Sequence, residues 1–160
     1  DLTWEMLGAM DKAGVGVFLL GGAPAEVEGA RTAVERRFPR LRVIGSQPGH
    51  FDVHGADNER IVAEINAGRP QALLVAMGFP RQEKWIAENL ERLDIRVAVA
   101  EGGSFSFLAG ITRRAPRWMR RAGLEWLFRL LRQPWRLRRQ MALPVFVWLV
   151  VRERLRRRGG

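Results

Sequence analysis

Apolar residues follow two alternating patterns along the first two thirds of the chain. Short, nearly continuous apolar runs alternate with stretches in which apolar side chains recur every three or four positions. The first pattern is typical of buried strands and the second of amphipathic helices. The pattern therefore predicts strands at 15–22, 41–45, 72–78 and 95–103, and helices at 2–13, 24–38, 57–67 and 81–93.

Residues that typically start or end helices support these boundaries. Thr3 is expected to cap the first helix, and Gly14 to end it. Pro24 suits the first turn of the second helix, because proline lacks the backbone N–H that this position leaves unpaired. Pro39 is expected to stop that helix.

Strands that alternate with helices indicate an α/β fold. Such a chain builds a doubly wound parallel sheet that is covered by helices on both faces. Ligands of these sheets bind beyond the carboxyl ends of the strands. Three predicted strands end there in glycine, which lets the backbone approach a ligand closely. The resulting candidates for ligand binding are Gly21, Gly22, Gly78, Gly102 and Gly103.

The stretch GFPRQEKWI connects the third strand to the fourth helix and adds polar candidates. Pro80 opens the helix, and Gln82 and Glu83 fall in its first turn. Gln82 can both donate and accept hydrogen bonds, which suits sugar hydroxyls or a uracil ring. Glu83 either complements the helix dipole or acts on a substrate. Trp85 is expected to pack in the core.

Charge divides the chain into two parts. Residues 113–160 hold 15 arginines and two acidic residues, a net charge of +13, whereas residues 1–112 hold 12 basic and 15 acidic residues, a net charge of −3. A basic tail on a mildly acidic body points to a polyanionic partner such as nucleic acid, anionic lipid or a diphosphate. The alternative is a solvated arginine face.

The basic tail combines an arginine stripe with an apolar segment. Helical spacing places Arg129, Arg132, Arg136 and Arg139 on one side of a helix, which Pro134 should kink or divide. The 11 apolar residues of MALPVFVWLVV, 141–151, are too few to span a bilayer. They suit a core helix, an oligomer contact or an interfacial segment on a membrane.

The composition limits the kinds of metal and cofactor sites that the chain can form. The chain has no cysteine and only two histidines, and it shows neither GxGxxG nor a P-loop. These residues exclude a histidine-rich metal site and leave a carboxylate metal site possible, although no EF-hand spacing appears. We expect no metal and no cofactor. No signal peptide is visible. The chain begins without methionine, and we expect it to be a fragment or a processed form.

Six stretches together resemble the TagA/WecG/CpsF family of bacterial glycosyltransferases. They match the family's motifs in order and spacing over nearly the whole chain, and G-x-P-[KR]-Q-E, R-A-P-x-W and E-W-L-[FY]-R-L are the most specific. The stretches are VFLLGG, GHF, VAMGFPRQEKWI, GGSFSFLAG, RAPRW and GLEWLFRLLRQPWRLRR.

The resemblance implies an inverting, metal-independent hexosyltransferase. Such enzymes move a sugar, commonly N-acetylmannosamine or its uronic acid, from a UDP donor to an undecaprenyl-diphosphate-linked sugar. Their products enter teichoic acid, common antigen or capsule synthesis. The implied protein is peripheral, on the cytoplasmic face of the bacterial inner membrane. A homo-oligomer is left open, and no nucleic acid is expected as partner.

The implied architecture has two parts. Residues 1–112 would form a Rossmann-like domain that binds the nucleotide sugar and is incomplete at its N-terminus, and residues 113–160 a membrane-facing helical appendage. The glycine turns, with Pro80 and Gln82, would bind the donor. Arg129, Arg136 and Arg139 match family arginines that are thought to bind a diphosphate.

The chain departs from the family pattern in two ways. The family's general base, an aspartate, is expected upstream of residue 1, which leaves the catalytic residue unknown and Glu83 a weak candidate. The pattern E-P-x-R-x-x-R-Y also has Gln133 in place of its glutamate and Gln140 in place of its tyrosine.

Two other functions fit the residues less fully. A nucleic-acid-binding module would use the Arg/Trp-rich tail for phosphates and stacked bases. A non-catalytic Rossmann-like fragment would keep the fold without the base.

Overall fold

The computed structural model describes residues 2–112, together with Pro116, Trp118, Met119 and Phe128. The chain divides into two units, Asp1–Arg113 and Arg114–Gly160, and all the elements below belong to the first. The helices are α1 (Leu2–Lys12), α2 (Pro24–Arg37), α3 (Ala56–Gly68), α4 (Arg81–Asn89) and α5 (Ser104–Leu108), with a 3₁₀ turn at Leu90–Arg92. The strands are β1 (Gly16–Gly21), β2 (Arg42–Gln47), β3 (Ala72–Ala76) and β4 (Val97–Ala100).

The four strands form one parallel sheet in the order β2-β1-β3-β4. Side chains of β1 alternate between the two faces, with Leu19 on one and Phe18 on the other. Helices α1, α2 and α5 cover the Leu19 face, and α3 and α4 cover the Phe18 face. The predicted doubly wound α/β fold is therefore confirmed.

The helices bury the predicted apolar stripes. Val27, Ala30 and Val34 of α2 are buried, as are Ile61 and Ile65 of α3. Each large aliphatic side chain buried in this way contributes about 1.5–3 kcal/mol relative to exposure. The periodicity thus identified the core faces of both helices correctly.

Three details of the predicted elements were wrong. Thr3 lies inside α1, and its hydroxyl donates to Glu101 Oε2 at 2.8 Å instead of capping the helix. The fourth strand is only four residues long, because its pairing with β3 ends at Ala100. Helix α5 was not predicted, since its five residues, SFSFL, are too few to show helical periodicity.

The strand order creates a switch point between β1 and β3. The chain leaves β1 through α2 toward one edge of the sheet and later leaves β3 through α4 toward the other edge. These two helices lie on opposite faces. A crevice is expected beyond the carboxyl ends of two such strands.

Candidate functional site

The glycine pair that ends β1 is packed tightly against β3. Gly21 pairs with Ala76 and has a φ of 137°, and a Cβ added there would lie 2.4 Å from the Ala76 carbonyl. Gly22 donates its N–H to the Ala76 oxygen at 2.9 Å. Close contact between two strand ends thus requires glycine at position 21, independently of any ligand.

The loop that follows β2 lies over this switch point. Gly49 donates its N–H to the Gly22 oxygen at 2.9 Å, and a Cβ on Gly49 would lie 2.8 Å from the Gly21 Cα. Arg81, the first residue of α4, donates to the Phe51 carbonyl at 2.6 Å, and its guanidinium lies 5.6 Å from the Phe51 ring centre. The family motif GHF therefore forms a loop that is held across the ends of β1 and β3.

A carboxylate of the chain itself lies at the N-terminus of α2. Glu26 Oε2 accepts the backbone N–H of Ala23 at 2.8 Å. A helix N-terminus is favourable for phosphate because its N–H groups and dipole attract negative charge. Here a carboxylate of the chain already occupies part of that position, and a phosphate bound there would have to displace it.

The ends of β3 and β4 are joined by one side chain, that of Gln82. Gln82 is 4% exposed, and its Oε1 accepts the N–H of Gly78 at 3.1 Å and the N–H of Gly102 at 3.0 Å. Its Nε2 donates to Glu83 Oε1 at 2.9 Å. Gln82 therefore brings together the glycine turns that follow two neighbouring strands.

We name the residues around this junction the β3–β4 rim. Its members are Gly78, Phe79, Pro80, Gln82, Glu83, Glu101, Gly102 and Gly103. A Cβ built on any of Gly78, Gly102 or Gly103 meets no atom of the described residues within 4 Å, apart from its chain neighbours, and the Phe79 side chain is 69% exposed. The rim thus offers open space beside backbone, as a ligand edge requires.

Two carboxylates flank the Gln82 junction. Glu83 is held by Gln82, and Glu101 is held by the Thr3 hydroxyl across the sheet end. Within residues 2–112, neither carboxylate forms an ion pair with arginine or lysine. Both keep acceptor capacity for hydroxyl groups of a ligand.

The predicted site residues fall into three sets. Gly78, Pro80, Gln82, Gly102 and Gly103 share the β3–β4 rim, with a cis peptide bond between Phe79 and Pro80. Gly21 and Gly22 lie at the neighbouring end of β1, under the loop that holds Gly49. Arg129, Arg136 and Arg139 lie outside the described residues, as do the arginine stripe and the apolar segment 141–151.

Sequence reasoning missed three residues that shape this edge of the sheet. Arg81 and Gly49 stood inside recognised motifs, so their proximity to the predicted site was a usable signal. Thr3 gave no such signal, because the partner of its hydroxyl lies 98 positions away in the sequence.

The described part of the chain has neither a metal cluster nor a membrane-spanning helix. Among these residues, no group of three or more histidine, aspartate or glutamate side chains could hold a metal ion. No described helix is both long enough and apolar enough to cross a membrane. A groove of about 460 Å³ lies away from the rim, between α2 and the end of α5, and is lined mainly by small side chains such as Ala25, Ala33 and Ala109.

The parallel sheet and its flanking helices define a Rossmann-like α/β domain, in which the rim lies at the carboxyl ends of two strands. The chain belongs to the glycosyl transferase WecG/TagA/CpsF family, whose profile matches residues 1–160. The resemblance inferred from the motifs is thereby confirmed.

Curated relatives carry a more specific name. The chain is 31% identical over 153 residues to a Bacillus subtilis (strain 168) protein named N-acetylglucosaminyldiphosphoundecaprenol N-acetyl-beta-D-mannosaminyltransferase. This match covers 96% of the chain and 58% of the relative. A Staphylococcus aureus (strain MW2) protein of the same name is 32% identical over 136 residues, which cover 85% of the chain and 52% of that relative. The chain thus spans a little over half the length of both.

Proposed function

We propose that the chain is part of a glycosyltransferase that moves an N-acetylmannosamine-type sugar from a UDP donor to an undecaprenyl-diphosphate-linked sugar. Its family and the names of its curated relatives support this activity. The structural observation that carries it is the β3–β4 rim, where Gln82 joins two glycine turns beside open space. The product would enter cell-surface polysaccharide or teichoic acid synthesis.

The donor would bind along the carboxyl edge of the sheet. Gly78, Gly102 and Gly103 would allow backbone to approach the sugar nucleotide, and Pro80 and Gln82 would shape the turn beside it. Gly21 and Gly22 would contribute from the end of β1. No metal or other cofactor is invoked.

The reaction proposed is a direct, inverting displacement. The acceptor hydroxyl oxygen attacks the anomeric carbon from the side opposite the diphosphate, a new glycosidic C–O bond forms, and the bond to UDP breaks. A general base takes the hydroxyl proton. The family aspartate is the expected base; within this chain the catalytic residue is unknown, and Glu83 is only a weak candidate for it.

The departing UDP needs positive charge. Arginine provides it through forked, bidentate hydrogen bonds to phosphate oxygens. Arg129, Arg136 and Arg139 are proposed for this role or for the diphosphate of the lipid acceptor. The net charge of +13 on residues 113–160 supports contact with an anionic surface. We place the protein, as a peripheral protein, at the cytoplasmic face of the bacterial inner membrane.

Calorimetry with a panel of UDP-sugars tests donor binding by this chain. We expect UDP-N-acetylmannosamine to bind more tightly than UDP-glucose. Gly103→Ala should weaken binding of the favoured donor at least about tenfold, because the added methyl group would occupy the space through which the donor approaches the backbone. Gly103 suits this test because its φ is −98° and a Cβ there meets no atom of the described residues within 4 Å, so alanine should leave the melting temperature unchanged.

A transfer assay with a lipid-diphosphate acceptor analogue then tests the reaction. It should be run on this chain and on a form extended upstream to the length of the curated relatives. Absence of UDP-sugar binding and of transfer in both forms would reject the proposed function. If Gly103→Ala leaves donor binding unchanged, the donor does not bind at the rim.

A further inference from the structure

The inference concerns Gln82 and Glu83, and it rests on the proposed function. Gln82 is one of three buried polar side chains among the described residues, the others being Asn58 and Asn89. Those two hydrogen-bond each other in the interior, at 3.1 Å, whereas Gln82 lies at the ligand edge. A buried polar group must form its hydrogen bonds to offset the cost of desolvation.

Each polar atom of the Gln82 side chain has a separate partner. Its oxygen accepts two backbone N–H groups that belong to turns 24 positions apart, Gly78 and Gly102. Its NH₂ group donates outward, to the exposed carboxylate of Glu83. A side-chain amide combines an acceptor and a donor on one carbon, which carboxylates and hydrocarbons cannot do.

The hydrogen bonds of Gln82 determine which groups the rim offers to a ligand. The amides of Gly78 and Gly102 are bound by the protein itself, so their N–H groups are occupied in this arrangement. Beside the open space, the two flanking carboxylates remain as acceptors. Acceptors on the two flanking carboxylates suit hydroxyl groups, which donate, rather than phosphate oxygens.

We propose that Glu83 binds a hydroxyl group of the donor's sugar and that Gln82 is the positioning residue that aims it. Glu83 Oε1 is held by Gln82 Nε2, whereas Oε2 has no partner within residues 2–112. No arginine or lysine of that range pairs with the carboxylate, so its charge remains available to strengthen a hydrogen bond from a hydroxyl group. The ligand class is a pyranose that carries free hydroxyl groups.

A purely structural role for Glu83 predicts a different result. A glutamate in the first turn of a helix interacts favourably with the helix dipole, an effect that contributes to folding and not to sugar recognition. The two roles are separated by comparing binding of the UDP-sugar with binding of UDP alone. Only a contact to the sugar changes the ratio of the two dissociation constants.

Four variants distinguish the positioning role of Gln82 from a direct contact between Glu83 and the sugar. Gln82→Glu keeps an acceptor for both glycine N–H groups but loses the donor to Glu83 and places two carboxylates side by side. Glu83→Gln keeps the acceptor for Gln82 but loses the charge. The double variant Q82E/E83Q restores a hydrogen bond of reversed polarity between the two positions. Glu88→Gln, on an exposed part of the same helix, is the matched control.

Calorimetry on the whole chain should give a distinct pattern. UDP should bind all variants equally. Gln82→Glu and Glu83→Gln should each weaken UDP-N-acetylmannosamine binding by about 10- to 100-fold, the range expected for loss of a charge-assisted hydrogen bond. The double variant should recover the melting temperature lost by Gln82→Glu without recovering sugar binding, and Glu88→Gln should match the parent chain.

Three outcomes would overturn the inference. One is an unchanged ratio of UDP-sugar to UDP affinity in Glu83→Gln, and another is full recovery of sugar binding in the double variant. The third is equal loss of UDP and UDP-sugar affinity, which would show that the two residues support only the local fold. Absence of UDP-sugar binding and of transfer in both the parent chain and its upstream-extended form would instead reject the proposed function, so the two failures are distinguishable.

Discussion

Buried polar side chains perform two different tasks in this domain. Asn58 and Asn89 form a hydrogen-bond network around Trp85 between α3 and α4. The Trp85 indole donates to Asn58 Oδ1 at 2.6 Å, and Asn89 Nδ2 donates to the Trp85 carbonyl at 2.9 Å. Gln82, one turn before, faces the rim instead. The same helix therefore anchors itself in the core and supports the proposed ligand edge.

The Asn58 network allows a stability prediction. Asn58→Ala leaves the buried Trp85 indole N–H without its acceptor, and we expect it to lower the free energy of unfolding by about 2–3 kcal/mol. Urea denaturation followed by far-UV circular dichroism measures the change. Glu91→Ala, at an exposed position, should stay within about 0.5 kcal/mol of the parent. Equal stability of the two variants would contradict a stabilising role for the network.

Two glycines, Gly8 and Gly29, lie inside helices, where glycine is normally unfavourable, and helix packing requires only one of them. Gly29 of α2 faces Ala109 just after α5, and a Cβ on Gly29 would lie 2.7 Å from the Ala109 Cβ. Gly8 of α1 is different, because a Cβ there would make an ordinary contact at 3.5 Å with the Phe38 ring. Close approach of the chain thus requires glycine at position 29 but not at position 8.

The two glycines form a matched pair of substitutions. Gly8→Ala should stabilise the protein by about 0.5–1 kcal/mol, because alanine is the better helix former. Gly29→Ala should destabilise it by about 1 kcal/mol or more, because the clash with Ala109 outweighs the same gain. Thermal and urea unfolding of both variants checks this. A similar gain in stability from both would show that α2 and α5 can separate without cost.

Residues 1–112 are mildly acidic and residues 113–160 are strongly basic. This difference in charge is the basis of the membrane prediction. Deletion of residues 141–160 removes five arginines and the apolar segment 141–151. Each arginine near an anionic surface contributes about 1 kcal/mol, so co-sedimentation with anionic liposomes should weaken at least about tenfold. Neutral liposomes and high salt serve as controls.

The membrane experiment has clear contrary results. Unchanged co-sedimentation after the deletion would remove residues 141–160 from the proposed membrane contact. Salt-sensitive binding to DNA, with none to anionic liposomes, would favour a nucleic-acid partner for the tail instead.

Local patterning was enough to locate most elements of the sheet domain. The core faces of α2 and α3 and the four strands follow from periodic burial, which each segment encodes within a few residues. The motifs likewise identified the family. The exceptions are informative: α5 has too few residues to show a period, and the length of β4 depends on where its partner strand ends.

The composition of the candidate site depends on contacts that no local pattern contains. Gln82 meets Gly102 across 20 positions, and Thr3 meets Glu101 across 98. Strand order creates the first meeting, because parallel pairing aligns the carboxyl ends of β3 and β4. The packing of α1 against the sheet brings Thr3 to Glu101. Hydrophobic periodicity therefore specified the strands, the helices and the edge at which to look for a ligand. The folded sheet determined that Gln82 is a buried junction, that Gly49 covers the end of β1, and that Glu83 and Glu101 are the acceptors at the rim.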